Sequence, residues 1–182
     1  MQWYDKRRLV PFGEFFPVPQ AVREWLRLMN LPYSDFQPGR AGPAPLRAAG
    51  ETFAPTVCYE DAYGSEQLGL VRQSSLLVNV TNDAWFGDST APHQHLDISR
   101  MRALESGRAM LRATNDGVTA LIGHDGALLG TLPQFQPGVL TGEVQPRTGL
   151  TPYVRFGNWP ILAVLWLGLA VIVVSYRRSI RR

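Results

Sequence analysis

Between Trp159 and Tyr176 the chain reads WPILAVLWLGLAVIVVSY, and none of these residues is charged. Roughly 18 residues rising about 1.5 Å each make a helix of about 27 Å, close to the hydrocarbon thickness of a bilayer. A helix in the core of a soluble protein rarely runs this long without a polar face. Trp159 and Tyr176 sit at the two ends, where amphipathic aromatics favour the membrane interface. Arg177, Arg178, Arg181 and Arg182 follow at once and mark this end as cytoplasmic by the positive-inside rule. The chain therefore divides into a folded domain at 1–157, a membrane span at 158–176 and a basic cytoplasmic tail at 177–182. The domain is expected on the opposite side of the membrane. Such an arrangement needs an export signal, and residues 1–30 contain no apolar signal core.

The tail also settles the meaning of the charge. The formal net charge is +3, and the four terminal arginines leave −1 for everything before them. The body is near neutral, which argues against a nucleic-acid partner. Apolar residues make up 45% of the chain and charged ones 18%, enough to build a core.

Local patterns predict an α/β protein. Residues 4–19 are rich in Pro and Gly and read as a loop. Val22, Trp25, Leu26 and Met29 repeat at helical spacing in 21–29, and 31–50 read as a surface loop. A strand is expected at 52–59, with Pro55 weakening it or marking an edge, then a helix at 60–73. SLLVNVTN at 75–82 is the clearest buried strand. Residues 91–115 predict one long helix, with Leu96, Ile98, Met101, Leu104 and Leu111 as its apolar stripe. Two strands around a His-Asp-Gly turn follow in 117–133, and a further strand at 138–146. The alternation implies strands stacked under helices.

The chain has a single cysteine, Cys58, so neither an internal disulfide nor a cysteine-based zinc site is available. Cys58 falls where a strand passes into a helix, a setting that favours a thiolate. The adjoining Glu60 and Asp61 oppose it, so a reactive thiol requires a nearby cation, with Lys6 or its arginine neighbours as candidates. The competing reading is a buried, inert cysteine. His93 and His95, spaced i, i+2, are a weak metal signal, and no metal or other cofactor is expected. Asn82, Asp83, Arg108 and Asn115 read as structural hydrogen-bonding residues.

YDKRRLVPFGEF, CYED, VNVTNDAWFGDSTAPHQH and RMRALESGRAMLRATNDGVTALIGHDG occur in that order along the chain. Together they closely resemble the nitrilase-like domain of the apolipoprotein N-acyltransferases, bacterial inner-membrane enzymes of lipoprotein maturation. The resemblance covers nearly the whole chain. It implies a nitrilase-like αββα sandwich followed by one transmembrane helix, with the catalytic domain on the periplasmic side. That family uses a Glu-Lys-Cys triad. The resemblance implies Cys58 as nucleophile, Lys6 as the triad lysine and Glu14 as a supporting glutamate, with Tyr59 and Glu60 in the motif after the nucleophile. Trp85 and Phe86 become candidates for a wall facing the substrate. The implied reaction moves an acyl chain from a phospholipid, with phosphatidylethanolamine the expected donor, through a thioester to the amino terminus of an apolipoprotein.

The same triad serves a membrane-tethered amidase that uses water in place of an amine. The family's general-base glutamate and its multi-helix membrane domain both lie ahead of the lysine motif, and nothing before Tyr4 supplies that glutamate. The expectation is the C-terminal part of a longer enzyme. In isolation it would be a partial sandwich lacking early strands, possessing exposed apolar faces, and inactive if the glutamate is essential.

Overall fold

The computed structural model describes residues 2–28, 36–40, 42 and 44–180. Its centre is one six-stranded sheet in sequence order: β1 (Leu46–Ala48), β2 (Glu51–Val57), β3 (Leu76–Asn82), β4 (Met110–Asn115), β5 (Ala120–Ile122) and β6 (Leu128–Thr131). Strands β2, β3 and β4 run parallel, and the flanking pairs are antiparallel. A 3-10 turn (Cys58–Ala62) and α2 (Gly64–Val71) connect β2 to β3. A second 3-10 turn (Ala84–Phe86) and α3 (Ala91–Ser106) connect β3 to β4. Parallel strands need such crossovers, so residues 58 and 84–86 follow the same, C-terminal edge of the sheet.

The register sorts the sheet into two faces. Ala54, Leu77, Met110 and Ile122 lie side by side across β2 to β5 and are buried. Leu70 and Val71 of α2, Leu96 and Ala103 of α3, and Val154 of α4 (Pro152–Phe156) complete that cluster. The alternate residues face the other way, and Val80 there is 46% exposed. Helices thus cover one face of the sheet, and among the described residues no second sheet covers the other. This is one αβ half of the expected sandwich.

Several sequence expectations change. The long helix at 91–115 stops at Ser106, where Gly107 turns left-handed with φ 64° and its N–H bonds back to Leu104. Residues 110–115 are instead the parallel strand β4. Its buried face is also not the apolar stripe. Met101 and Leu104 are half exposed, while Leu96 is buried together with His95, Ser99, Ala103 and Ser106. The strand expected at 138–146 does not form. That segment packs against β5 instead, so closely that a Cβ on Gly142 would lie 2.6 Å from the Leu121 side chain. Within the loop expected at 31–50, residues 46–48 form β1, joined to β2 by Ala49 and Gly50, both at positive φ. That is the geometry of a tight hairpin turn. Pro55 sits beyond the reach of β1, where β2 has β3 as its neighbour. The hairpin around His124, Asp125 and Gly126 forms, with Gly126 at φ 78°.

Helix α1 (Gln20–Leu28) forms, but Val22 and Trp25 on its stripe are exposed. Met29 of that stripe and residues 31–35 lie outside the described residues. Helix α5 (Trp159–Ile180) is long and apolar enough to cross a membrane and is unburied throughout. It continues without a break through Arg177 and Arg178. Its root is fixed: Val154 is in the core, and Arg72 donates to the Val154 carbonyl at 3.0 Å.

Met110→Ala removes the largest fully buried side chain of the sheet. It is expected to cost about 2–5 kcal/mol, read as a lowered denaturation midpoint of the full chain in detergent.

Candidate functional site

The carboxylate of Glu60 is fully buried, and it joins two distant stretches of the sequence. Its Oε1 accepts from the Arg7 and Arg8 N–H groups at 2.6 and 3.1 Å. Its Oε2 accepts from the Val57 N–H at 2.7 Å and the Tyr4 hydroxyl at 3.0 Å. Burial, with the Glu60 charge adding to it, pushes the Tyr4 phenol up to about 12, so Tyr4 stays a donor. The loop at 4–8 is thereby stitched to the turn that carries Cys58. Glu60 faces these donors and turns its charge to holding backbone.

On that stitched loop, Lys6 Nζ donates to Glu14 Oε1 at 2.6 Å, and the ammonium is largely shielded from solvent. Glu14 is itself held by the Val10 N–H at 2.8 Å. Lys6, Glu14, Leu9, Phe36 and Val57 line an open cleft of about 540 Å³. Cys58 directly follows Val57 at the cleft's edge, partly buried, with φ 55°. A left-handed backbone at a non-glycine residue costs on the order of 1–3 kcal/mol and persists only when its surroundings enforce it. Cys58 opens a 3-10 segment (Cys58–Ala62) that ends one residue before α2 begins at Gly64.

Behind the turn lies a buried polar cluster that sequence reasoning missed as a unit. His95 Nε2 meets Asp61 Oδ1 at 3.0 Å, and its Nδ1 meets Asp83 Oδ1 at 2.9 Å. Arg112 donates to Asp83 Oδ2 at 3.0 Å, to Ser99 Oγ at 2.7 Å and to Asn79 Oδ1 at 2.8 Å. Ser99 donates to Asp61 Oδ2 at 2.5 Å. An ionised carboxylate only accepts, so a histidine between two of them carries a proton on each nitrogen. Burial alone would lower the His95 pKa, but the bonds to Asp61 and Asp83 outweigh it and raise it to about 9. Burial likewise pushes Asp83 up, and His95 and Arg112 more than offset it, holding Asp83 below the usual carboxylate range. Two carboxylates, one guanidinium and one imidazolium cancel. The sequence did carry a signal: Asn79 and Arg112 interrupt the apolar runs LLVNV and MLRA.

The family model for carbon-nitrogen hydrolases matches residues 1–153. The chain belongs to the carbon-nitrogen hydrolase family. An apolipoprotein N-acyltransferase of Azotobacter vinelandii is 50% identical over 171 residues, covering 93% of this chain and 33% of that protein. Another, from Methylococcus capsulatus, is 47% identical over 175 residues, covering 96% and 34%. The chain spans about a third of the length of the curated relatives it matches. Among solved structures, an amidase from Nesterenkonia sp. is similar with a TM-score of 0.48 and 26% identity, over 58% of this chain and 42% of that one.

In this carbon-nitrogen hydrolase chain the structure brings Lys6 and Glu14 to one cleft, and Val57, the residue before Cys58, is on its wall. Tyr59 packs edge-on against Tyr63, and their hydroxyls are bonded. Trp85 and Phe86 are 83% and 48% exposed on their own turn, so neither is a core aromatic. His93 and His95 lie on α3, not on a strand, with His93 exposed and His95 committed to the two aspartates. Asn82 and Asn115 bond to each other at the ends of β3 and β4. Arg108 staples the Ser74 and Gly149 carbonyls. A shielded ammonium can stabilise a thiolate and then an oxyanion that come within its reach, which is chemistry suited to acyl transfer.

Glu60→Gln places an amide N–H₂ against donors. It should cost about 1–3 kcal/mol and open the 4–8 loop to trypsin at Lys6, Arg7 or Arg8, read by limited proteolysis. The His95 pKa is raised on folding, from 6.5 to about 9. The stability it contributes is complete below the lower value and is lost as pH rises through the higher one. Unfolding of the full chain between pH 6 and 10 should show that loss, and His95→Asn should remove the slope.

Proposed function

We propose that this chain carries the acyl-transfer site of an apolipoprotein N-acyltransferase. The carrying observation is the Lys6–Glu14 pair in the cleft beside the left-handed Cys58, at 2.6 Å. The sequence identity to apolipoprotein N-acyltransferases supports the same reading.

In this proposal the Cys58 thiolate attacks an ester carbonyl of a phospholipid, phosphatidylethanolamine being the proposed donor. Lys6 donates to the oxyanion of the tetrahedral intermediate, and Glu14 keeps its ammonium in place. The C–O bond breaks, a proton goes to the leaving alkoxide, and a lysophospholipid departs. The acyl group remains as a thioester on Cys58. The α-amino group of a diacylglyceryl-cysteine apolipoprotein then attacks, the C–S bond breaks, and the thiol is regenerated with an N-acylated product. The resemblance assigns the general base to a glutamate ahead of the lysine motif. Glu60 and Tyr59 shape the turn, and Trp85 and Phe86 offer an apolar wall to the acyl chain. Helix α5 anchors the site beside both lipid substrates, with Arg177 and Arg178 cytoplasmic and the site on the periplasmic side of a bacterial inner membrane. The domain is assigned to 1–157, the span to 158–176 and the tail to 177–182. No step in the scheme calls on a metal or cofactor.

The test is the intact mass of the full chain in detergent after incubation with phosphatidylethanolamine. The same assay is run on a chimera joining it to the part of a relative that it does not match. A one-acyl adduct released by neutral hydroxylamine, absent in Cys58→Ala and reduced at least tenfold in Lys6→Ala, is expected. Free fatty acid in place of transfer to an amine would favour an amidase. No adduct in the chimera would overturn the acyltransferase reading.

A further inference from the structure

The backbone of Cys58 is gripped from two directions, and the second grip comes from a residue outside any triad. Val57, just before it, gives its N–H to Glu60 at 2.7 Å. The Cys58 carbonyl accepts from Asn79 Nδ2 at 3.1 Å. Asn79 sits in the middle of β3, fully buried, beside Thr56 of β2 and Arg112 of β4 in the sheet register. Its Nδ2 also donates to Thr56 Oγ1 at 3.0 Å, and its Oδ1 accepts from Arg112 at 2.8 Å.

An asparagine amide can in principle lie either way round, presenting oxygen or nitrogen to the same neighbour. Arg112 removes the choice. A guanidinium has donors and no acceptor, so the amide oxygen must face it. The N–H₂ must then face Thr56 and the Cys58 carbonyl. Arg112 is itself immobilised by Asp83, Ser99 and Asn79, and Asp83 by His95. The chain of constraint runs from α3 across β4 and β3 to one carbonyl.

We infer that Asn79, with its amide orientation set by Arg112, is a positioning residue that holds Cys58 in its left-handed turn and so aims the thiol at the Lys6 cleft. This rests on the reading of Cys58 and Lys6 as reacting partners. The left-handed φ of a non-glycine residue needs enforcement, and the Asn79 bond supplies it on the carbonyl side. Asn79 touches neither substrate nor thiol in this account. It acts only through the backbone of Cys58.

Cys58 is the chain's single cysteine, so alkylation by iodoacetamide, followed by intact mass, reads it alone. The full chain in detergent is compared as wild type, Asn79→Ala, Lys6→Ala, the double variant and Met110→Ala. Met110→Ala controls for lost stability, since it loosens the apolar row next to Asn79 and removes no hydrogen bond to the turn. Each of Asn79→Ala and Lys6→Ala is expected to slow alkylation about threefold to tenfold, the rate equivalent of one hydrogen bond. The double variant should be no slower than Lys6→Ala, because both act through one thiol–ammonium geometry. Met110→Ala should leave the rate and its pH profile unchanged. Additive losses in the double variant, or an equal loss in Met110→Ala at matched stability, would overturn the inference. If Lys6→Ala changes nothing while Asn79→Ala alone slows the reaction, the fault lies with the assigned partner and not with Asn79. Asn79→Ala at wild-type rate overturns the positioning role whatever the outcome of the lipid assay.

Discussion

The Glu60 carboxylate is the contact on which the site depends. It has no exposed surface and four donors, drawn from Tyr4, Arg7, Arg8 and Val57. A buried carboxylate is tolerated only when its lone pairs are taken up in this way. Glu60 fixes the backbone of the irregular loop that carries Lys6 and Glu14, and the Arg8–Glu66 ion pair and the Arg7–Gln67 bond join the same loop to α2. Its placement also resolves an electrostatic difficulty. A carboxylate two residues from a thiol disfavours the thiolate, unless its charge is engaged elsewhere. Glu60 spends its charge on N–H groups and a phenol, while the Lys6 ammonium takes the position in the cleft.

Beneath the turn, the sheet shifts from apolar to polar along its parallel strands. One row across the buried face is Ala54, Leu77, Met110 and Ile122. The next row toward the C-terminal edge is Thr56, Asn79 and Arg112. The apolar row supplies burial energy, and the polar row supplies direction, because hydrogen bonds fix angles that packing leaves loose. This explains why α3 buries His95 and Ser99 against the sheet while it leaves Met101 and Leu104 half exposed. Its inner face covers a charge-balanced cluster instead of an oily one. Gly117 belongs to the same cluster: a Cβ there would lie 2.3 Å from Asp83 Oδ2.

The open side of the sheet and helix α5 are two apolar surfaces that the domain leaves exposed. On the side opposite the helices Val80 is exposed, while Leu76 is buried and residues 140–142 pack over Gly130 and Leu121, so among the described residues that face is covered only in part. Helix α5 leaves the domain through α4, whose Val154 is locked into the core. Gly157 and Asn158 separate α4 from the start of α5.

What the sequence determined alone was whatever is encoded within one short window. The uncharged run at 159–176, the apolar strand at 75–82, the hairpin around Gly126 and the sole thiol were all legible, because period, turn chemistry and composition are local. The lysine motif and the residues after Cys58 were legible as a resemblance to a known family. Helix α3 was overrun past Gly107, since MLRATN has no strict alternation and forms a strand only because β3 offers it a partner. Tertiary structure alone decided which donors Glu60 faces, and that Asp61, His95, Asp83 and Arg112 form one neutral cluster. Arg7 and Glu60 are 53 residues apart in sequence, and Arg112 and Asn79 are 33 apart. Contacts at that separation are set by the register of parallel strands and the length of their crossovers, which no single window of the chain contains.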